Sequence, residues 1–364
     1  MAMSFEEYVN AYYGGVLGIS KRYGIKKDSL ATGDTGYFNA MYGAAVFNQL
    51  NTKSEIFRLL PKEGWTQSGW RVLTARGTTT AGQSEGAAFP TTDVPDITEV
   101  TATIKEVVTP WDVTTRAEFL AEADDGVKGL VAFLRREQAE AHSYYIDQML
   151  MKDGDTLAGD NLESLDRVII NAAAAAAVGW TANDDDIYDI DRDTGSWHAS
   201  TVSHNSGTDR ALTLAMLDTL IQGALENGVN YEDLILLTGH DTMQDLKQLL
   251  NATSNSTWRY DLGPMGQGSQ NGVSGELGRN LDNRVGYYDS IPIYVSQHVP
   301  KDTISRVYLM DMAHLKMKIA APTTYVSSED LAVTQKLAKD HAFITAGELI
   351  CTKFNTQGSI RDLT

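Results

Sequence analysis

Hydrophobic and polar positions change period several times along the chain and divide it into successive parts. Residues 1 to about 55 carry too few apolar side chains to build a core of their own, and glycines interrupt them repeatedly. A short helix near Tyr37–Leu50 is predicted there from apolar side chains at helical spacing. This leading part is therefore expected to lie along another surface.

Two segments rich in threonine, valine and tryptophan follow, and both predict extended strands. They are WTQSGWRVLTARG (65–77) and TEVTATIKEVVTPW (98–111). About twenty residues rich in glycine, threonine, serine and proline join them. A loop of that length is unusual in a compact domain and usually has a function. Because two strands alone are marginally stable in water, this hairpin is expected to rest on a neighbouring subunit, with a mobile surface hairpin as the alternative.

After Pro110 the pattern takes a helical period. Thr114 or Thr115 can cap a short helix, RAEFLAEADD (116–125), and a longer helix is predicted from Gly126 to about Met151. At 1.5 Å per residue the longer helix would span roughly 39 Å. A helix of that length can support a whole domain as its spine.

Residues 153 to about 300 alternate between helices and strands, which predicts a mixed α/β layer. Helices are expected at Leu165–Val178, Thr208–Gly228 and DTMQDLKQLLN (241–251), and strands at DLILLTG (233–239) and SIPIYVSQ (290–297). The closing part returns to strands at RVYLMDM (306–312), LKMKIA (315–320) and KDHAFITAGELICTKF (339–354). With the spine helix, these strands predict a second unit and an α+β fold class.

Composition and charge remove several classes of protein. The 364 residues contain no apolar run long enough for a membrane span, and the first residues lack a secretory signal pattern. The net charge of −18, with 31 aspartates and 17 glutamates, argues against binding DNA by counterion release, although an acidic wall can still contain DNA. The aspartate bias also raises the hypothesis of a halophilic host. Cys351 is the only cysteine, and its apolar neighbours predict a buried thiol rather than a nucleophile.

An acidic loop, DDDIYDIDRDTG (184–195), is the best candidate for a metal site. Asp189, Asp191 and Asp193 alternate like the first ligands of a calcium loop. The glycine comes one position late, Arg192 stands among the carboxylates, and Ser200 occupies the position of the expected glutamate. A solvated acidic loop without any cofactor is favoured, and a structural calcium or magnesium site is the alternative.

The order of these parts resembles that of the major capsid proteins of tailed viruses, which share the Hong Kong 97-like fold. The most specific stretch is VGYYDSIPIYVSQHVPKDTISRVYLMDMAHLKMKIAAP (285–322), in which Gly286 and an Ile-Pro-Ile strand precede an aspartate-bearing strand. NYEDLILLTGHDTMQDLKQLL (230–250) is similar to the strand and helix of the family's axial domain. The resemblance implies an N-terminal arm (1–59), an extended hairpin loop (60–110), a peripheral domain with the spine helix (111–152), an axial α/β domain (153–311) and peripheral return strands (312–364).

The resemblance also implies a function. The chain would be a capsid subunit without catalytic residues, assembled in the host cytoplasm as hexamers and pentamers of an icosahedral virion shell around double-stranded DNA. A portal, a separate scaffolding protein and decoration proteins are the further partners it implies, and no membrane is involved. Trp65, Trp70 and Phe89 are the expected inter-subunit contacts, because aromatic side chains dominate interface hot spots. The alternatives are an encapsulin-like nanocompartment shell and, resting on the aspartate loop alone, a metal-dependent enzyme.

Two departures from parts of the family lead to further expectations. Only about 55 residues precede the loop, which leaves no room for a long scaffolding segment that a protease removes, so a separate scaffolding protein or none is expected. No lysine lies between Lys62 and Lys105, so the shell is expected to lack the covalent links that some members form from a lysine in this loop.

Overall fold

A computed structural model describes residues 55–77, 82–88, 93–114, 116–117, 130–152, 159–177, 179–180, 186–192, 197–252, 284–327 and 338–364. Its helices are α1 (Ile56–Leu59), α2 (Leu130–Leu150), α3 (Leu165–Val168), α4 (Ala172–Ala177), α5 (Leu214–Glu226) and α6 (His240–Ala252). Its strands are β1 (Lys62–Gly64), β2 (Gly69–Ala75), β3 (Asp96–Thr101), β4 (Lys105–Thr114), β5 (Thr201–Ser203), β6 (Leu234–Thr238), β7 (Arg284–Tyr288), β8 (Ile291–Val295), β9 (Ser305–Asp311), β10 (Leu315–Ser327), β11 (Ala338–Cys351) and β12 (Gly358–Leu363).

These elements confirm the α+β class and most of the predicted order. The spine helix ends at Leu150, close to the predicted end, and its predicted first turn lies outside the described residues, as does the helix near Tyr37–Leu50. Of the short helix predicted at 116–125, only residues 116–117 are described, and they are helical. No helix within the described ranges is long and apolar enough to cross a membrane.

A six-stranded sheet has the strand order β5-β12-β9-β6-β8-β7. Strand β6 pairs in parallel with β8 and antiparallel with β9, and β12 lies antiparallel to β9 and parallel to β5. Every residue of β6 is buried. That burial explains its unbroken apolar sequence, since a central strand that is covered on both faces has no polar side to show to water.

The two faces of this sheet have different chemistry because side chains alternate along each strand. On one face, Val307, Leu309 and Ile360 join an apolar core to which α5 and α6 contribute. Arg306 and Arg361 are the sequence neighbours of Val307 and Ile360, and both form ion pairs with Asp166 of α3. The second face therefore carries buried charge.

Helix α5 lies very close to the sheet at one glycine. A Cβ added to Gly358 would come within 2.6 Å of a Leu220 methyl carbon and 3.0 Å of the Thr201 carbonyl oxygen. Glycine at this position therefore permits the helix to lie directly on β12 and β5.

A four-stranded sheet has the order β1-β10-β11-β4, and β1 runs parallel to β10 with Lys62 opposite Met317. Pro110 lies in β4, an edge strand of this sheet. Proline lacks a backbone N–H, so an edge strand accepts it without losing a ladder hydrogen bond, and the edge is less able to pair with foreign strands.

The chain divides into two compact units. The described parts of one lie within Val107–Tyr144 and Ala321–Thr345, and those of the other lie within Ser54–Glu106, Tyr145–Ala320 and Ala346–Thr364. The last strand, β12, belongs to the second unit, although its residues fall in the range that the resemblance implies for the peripheral domain. The five boundaries implied by the resemblance stay predictions.

The first unit is held together by an apolar cluster and a polar chain. Val113, Leu130 and Leu134 are buried in the cluster, with Trp111 packed against them. The imidazole of buried His142 hydrogen-bonds to the hydroxyls of Thr109 at 2.8 Å and Thr345 at 2.7 Å. Burial lowers the pKa of His142. The neutral ring is therefore favoured, and it can donate one hydrogen bond and accept the other between the two threonine hydroxyls.

The single strand predicted over 98–111 is wrong. The structure splits it into β3, which pairs with β2, and β4, which belongs to the four-stranded sheet. The change of partner occurs at Ala102, whose buried N–H donates to the carbonyl of Ser68 at 2.8 Å and closes the base of the hairpin.

The single helix predicted over Leu165–Val178 is also wrong. Helix α3 ends at Val168 and α4 begins at Ala172, where the Asn171 side chain accepts the Ala174 N–H at 2.8 Å. Between the two helices, the carbonyl of Ile169 accepts the Ser359 hydroxyl and the carbonyl of Ile170 accepts the Arg192 guanidinium. Tertiary hydrogen bonds have thus overridden the helical preference of the alanine run.

Candidate functional site

The hairpin formed by β2 and β3 presents one open face. Leu73 stands opposite Ile97 and Arg71 opposite Glu99, so the four side chains share a face. Leu73 is 54% exposed and Ile97 is 61% exposed. An apolar cross-strand pair thus lies in water on a strand pair that has little stability of its own.

The opposite face of the hairpin rests on its own chain. The ring of Trp70 meets the ring of Tyr188 edge to face, with 5.4 Å between centroids, and Val100 is fully buried. The hydroxyl of Tyr188 donates to the carbonyl of Leu349, and burial raises the pKa of Tyr188 far enough to keep that hydroxyl protonated. This contact orients the hairpin and leaves its other face available.

The open face contributes little to folding. The ion pair between Arg71 and Glu99 measures 3.1 Å, and both side chains are 74% exposed. Exposed pairs of this kind are worth about 0–1 kcal/mol, and the Leu73–Ile97 pair adds on the order of 0.2–1 kcal/mol. The face is therefore suited to binding a second surface, where burial of the apolar pair would contribute more.

An ionic cluster lies at the base of the hairpin. The ammonium of Lys105 is 2.9 Å from a carboxylate oxygen of Glu163 and 3.2 Å from one of Glu348, and Arg167 donates to Glu163 at 3.0 Å. All four side chains are largely buried. Burial raises the pKa of Glu348 to about 7, against the opposing effect of Lys105.

The same cluster borders a cavity of about 630 Å³, and the acidic loop contributes to its wall. Asp189, at a positive φ of 59°, accepts the hydroxyl of Thr101, and exposed Asp191 also lines the cavity. Asp193 lies outside the described residues. In the part of the chain that the structure describes, no three His, Cys, Asp or Glu side chains are grouped to hold a metal ion.

Arg192 has a structural role that its sequence position did not indicate. Its side chain is buried, and its guanidinium donates to the carbonyls of Arg167 at 2.7 Å and His198 at 2.8 Å, as well as to that of Ile170. The backbone N–H of Arg192 donates to the carboxylate of Asp186 at 3.0 Å. The base of the acidic loop is therefore held by protein groups.

Titration with calcium chloride tests whether this loop also binds an ion. The favoured interpretation, a solvated acidic loop, predicts no heat of binding in calorimetry and no rise in the thermal unfolding temperature. Saturable heat that disappears in the double variant Asp189→Asn, Asp191→Asn would instead establish the calcium site, because carboxylates are the ligands that calcium prefers.

The expected contact residues have different positions. Trp65 is half-buried, and its backbone N–H donates to the carbonyl of Ile319 at 2.9 Å. Trp70 packs on Tyr188, and Phe89 lies outside the described residues. An inter-subunit role for these three stays a prediction. The aromatic criterion does not select Leu73 and Ile97, the exposed pair that strand alternation in GWRVLTA and DITEVT places on one face.

Cys351 is the last residue of β11 and is fully buried. Burial raises the pKa of its thiol to about 12, so almost none of it is thiolate at neutral pH. The prediction of a buried thiol within a strand is confirmed.

Solved capsid structures share this fold. The capsid asymmetric unit of cyanophage A-1(L) is 16% identical, with a TM-score of 0.64 over 88% of this chain and 96% of that one. The capsid of the native GTA particle is 11% identical, with a TM-score of 0.58 over 98% and 99% of the two chains. The structure of Mycobacterium phage Bobi is 10% identical, with a TM-score of 0.54 over 95% of this chain and 98% of that one. The chain thus has the Hong Kong 97-like fold of capsid shell subunits.

The family follows from the sequence match. The family model described as SU10 major capsid protein matches residues 66–364, and the chain therefore belongs to the SU10 major capsid protein family. The chain is a structural subunit of a virion capsid and not an enzyme, as the resemblance implied. A search of curated proteins gives no match.

Proposed function

We propose that the subunit assembles as hexamers and pentamers into an icosahedral shell that encloses double-stranded DNA. The net charge of −18 supports containment without adhesion, since binding to the phosphate backbone requires clustered cations. A portal, a separate scaffolding protein and decoration proteins complete the proposed particle, which forms in the host cytoplasm. The stretch between Lys62 and Lys105 offers no lysine, so the proposed contacts between subunits are non-covalent.

The open face of the hairpin is the observation that carries the proposed mode of assembly. A neighbouring copy is the proposed partner, because every subunit of a closed symmetric shell is surrounded by copies of itself. Burying the exposed parts of Leu73 and Ile97 contributes about 2 kcal/mol for each side chain. Arg71 and Glu99 would then form a polar rim beside the apolar pair.

Charge placed on this face is expected to abolish assembly without unfolding the subunit. In the double variant Leu73→Asp, Ile97→Asp, we expect free subunits or capsomers in place of closed shells, measured by sedimentation and negative-stain electron microscopy. The thermal unfolding temperature of the subunit should change little, because both side chains are exposed in the subunit.

The matched control is the double variant Leu73→Met, Ile97→Val, which keeps the face apolar and is expected to form shells. Closed shells at normal yield from the aspartate variant would contradict assembly through this face. Loss of shells in both variants, with normal unfolding temperatures, would show that the fit of the two side chains matters as well as their apolar character.

A further inference from the structure

Helix α5 ends at an asparagine that is followed by glycine, Asn227 and Gly228. An Asn-Gly pair is prone to deamidation, because glycine has no side chain to hinder attack by its own backbone nitrogen. In this reaction the Gly228 nitrogen loses its proton and bonds to the Asn227 side-chain carbonyl carbon, and the side-chain nitrogen leaves with that proton as ammonia. Water then opens the succinimide ring to aspartate or isoaspartate. Asn227 is therefore a chemically labile position.

The fold engages both reacting groups in hydrogen bonds. The N–H of Gly228 donates to the carbonyl of Leu225 at 2.9 Å. The side-chain nitrogen of Asn227 donates to the carbonyls of Gly223 and Asn355, each at 2.8 Å, and the side-chain oxygen accepts the Asn355 amide at 3.3 Å. Ring closure has to break the hydrogen bond of the Gly228 nitrogen and turn the Asn227 amide, so the folded end of α5 opposes the reaction.

A lysine fastens the same helix end from another segment. The ammonium of Lys353 donates to the backbone carbonyl of Asn227 at 2.6 Å, a position where a cation also balances the negative end of the helix dipole. Lys353 and Asn355 both lie between β11 and β12, and both are half-buried, as is Asn227. Asn227, Lys353 and Asn355 therefore form a clasp that joins the end of α5 to the segment leading into the last strand.

We propose that Asn227 is a latent deamidation site and that opening of the clasp controls the rate of its reaction. With the clasp closed, the Gly228 nitrogen stays bonded to a carbonyl; with the clasp open, the pair reacts as it would in an unfolded chain. Deamidation then favours the open form, because a carboxylate cannot donate to the carbonyls of Gly223 and Asn355 and places negative charge at the negative end of α5. The modification thus accumulates in subunits whose clasp has opened.

Mass spectrometry of peptides from the full chain, aged in mildly alkaline buffer with and without urea, measures the reaction. The sequence supplies its own reference, because Asn-Gly-Val occurs both at 227–229 and at 271–273. The second copy lies outside the described residues and serves as the reference in urea, where the two sites should react at similar rates. Without urea, deamidation at Asn227 is expected to be about tenfold slower or more, since it requires local opening.

Two variants loosen the clasp without touching the reacting pair. Lys353→Met and Asn355→Ala each remove hydrogen bonds to Asn227 and are expected to speed its deamidation in the folded subunit roughly fivefold. Lys247→Met, a change at an exposed lysine on α6, is the matched control and should keep the wild-type rate. Equal rates with and without urea in the wild-type protein, or wild-type rates in both clasp variants, would overturn the proposal.

The product of the reaction is tested directly by Asn227→Asp. This variant should unfold at a lower urea concentration than the wild-type protein, whereas Gln244→Glu, the same change of charge at an exposed position of α6, should not. An unchanged midpoint in Asn227→Asp would show that deamidation does not loosen the clasp and would contradict that part of the proposal. All of these measurements are made on subunits, so failure of shell assembly would not affect them.

Discussion

Replacing Asp166 with alanine should destabilise the unit that contains the six-stranded sheet by roughly 3–5 kcal/mol. Asp166 is 0% exposed and lies 2.9 Å from a guanidinium nitrogen of Arg306 and 3.0 Å from one of Arg361. The hydroxyl of Tyr308 also donates to it at 3.4 Å. Removing the carboxylate takes away an anion that two buried cations share, and that loss is much larger than the loss of one surface ion pair.

Urea unfolding of the purified subunit measures this effect through the transition midpoint. Asp209→Ala removes an exposed aspartate and is expected to change stability by less than about 0.5 kcal/mol. Adding Arg306→Met to Asp166→Ala should recover part of the loss, because one of the two buried cations that Asp166 paired with is removed as well. A loss below about 1 kcal/mol for Asp166→Ala would mean that water or other groups compensate the arginines.

Replacing Asp147 with alanine is expected to release the segment around α1. The buried carboxylate of Asp147, on the spine helix, accepts three successive backbone N–H groups, those of Glu55, Ile56 at 3.3 Å and Phe57 at 2.6 Å. Each buried donor left without a partner costs about 1–3 kcal/mol. The total is enough to open this segment locally while the rest of the subunit stays folded.

Limited proteolysis with trypsin gives the readout, because Arg58 lies within α1. Cleavage after Arg58 should be at least tenfold faster in Asp147→Ala than in the wild-type protein. Asp147→Asn keeps one acceptor oxygen and should fall between the two. Gln148→Ala, a change at the exposed neighbour, is the matched control and should show the wild-type rate. Equal rates for Asp147→Ala and the control would exclude this role.

Periodic patterns in the sequence predicted the elements in which apolar side chains recur at the spacing of a helix or a strand. Strands β6, β8 and β9 and helix α6 were found because each buries a continuous or regularly spaced apolar surface. Strand β12 was missed. Its sequence, GSIRDL, has alternating polar residues, and they are buried because Arg361 meets Asp166 from a distant part of the chain.

The candidate site was likewise predicted only in part from the sequence. Sequence composition located the hairpin, but an aromatic criterion does not indicate which of its faces is open, since this depends on the packing of Trp70 on Tyr188. Arg192 argued against a calcium loop because of its charge, and only the fold shows the backbone carbonyls to which it donates. Contacts between residues far apart in sequence leave no periodic signal, and local patterns therefore could not predict them.

The strand order of the larger sheet has a consequence for the timing of synthesis. Strand β5 has β12 as its neighbour in the sheet, and the ribosome makes β12 about 150 residues after β5. At a synthesis rate of roughly 5–20 residues per second, β12 is made on the order of ten seconds after β5. A nascent or prematurely terminated chain therefore lacks β12, the strand through which β5 joins the sheet, and only a subunit translated through Leu363 can complete the six strands.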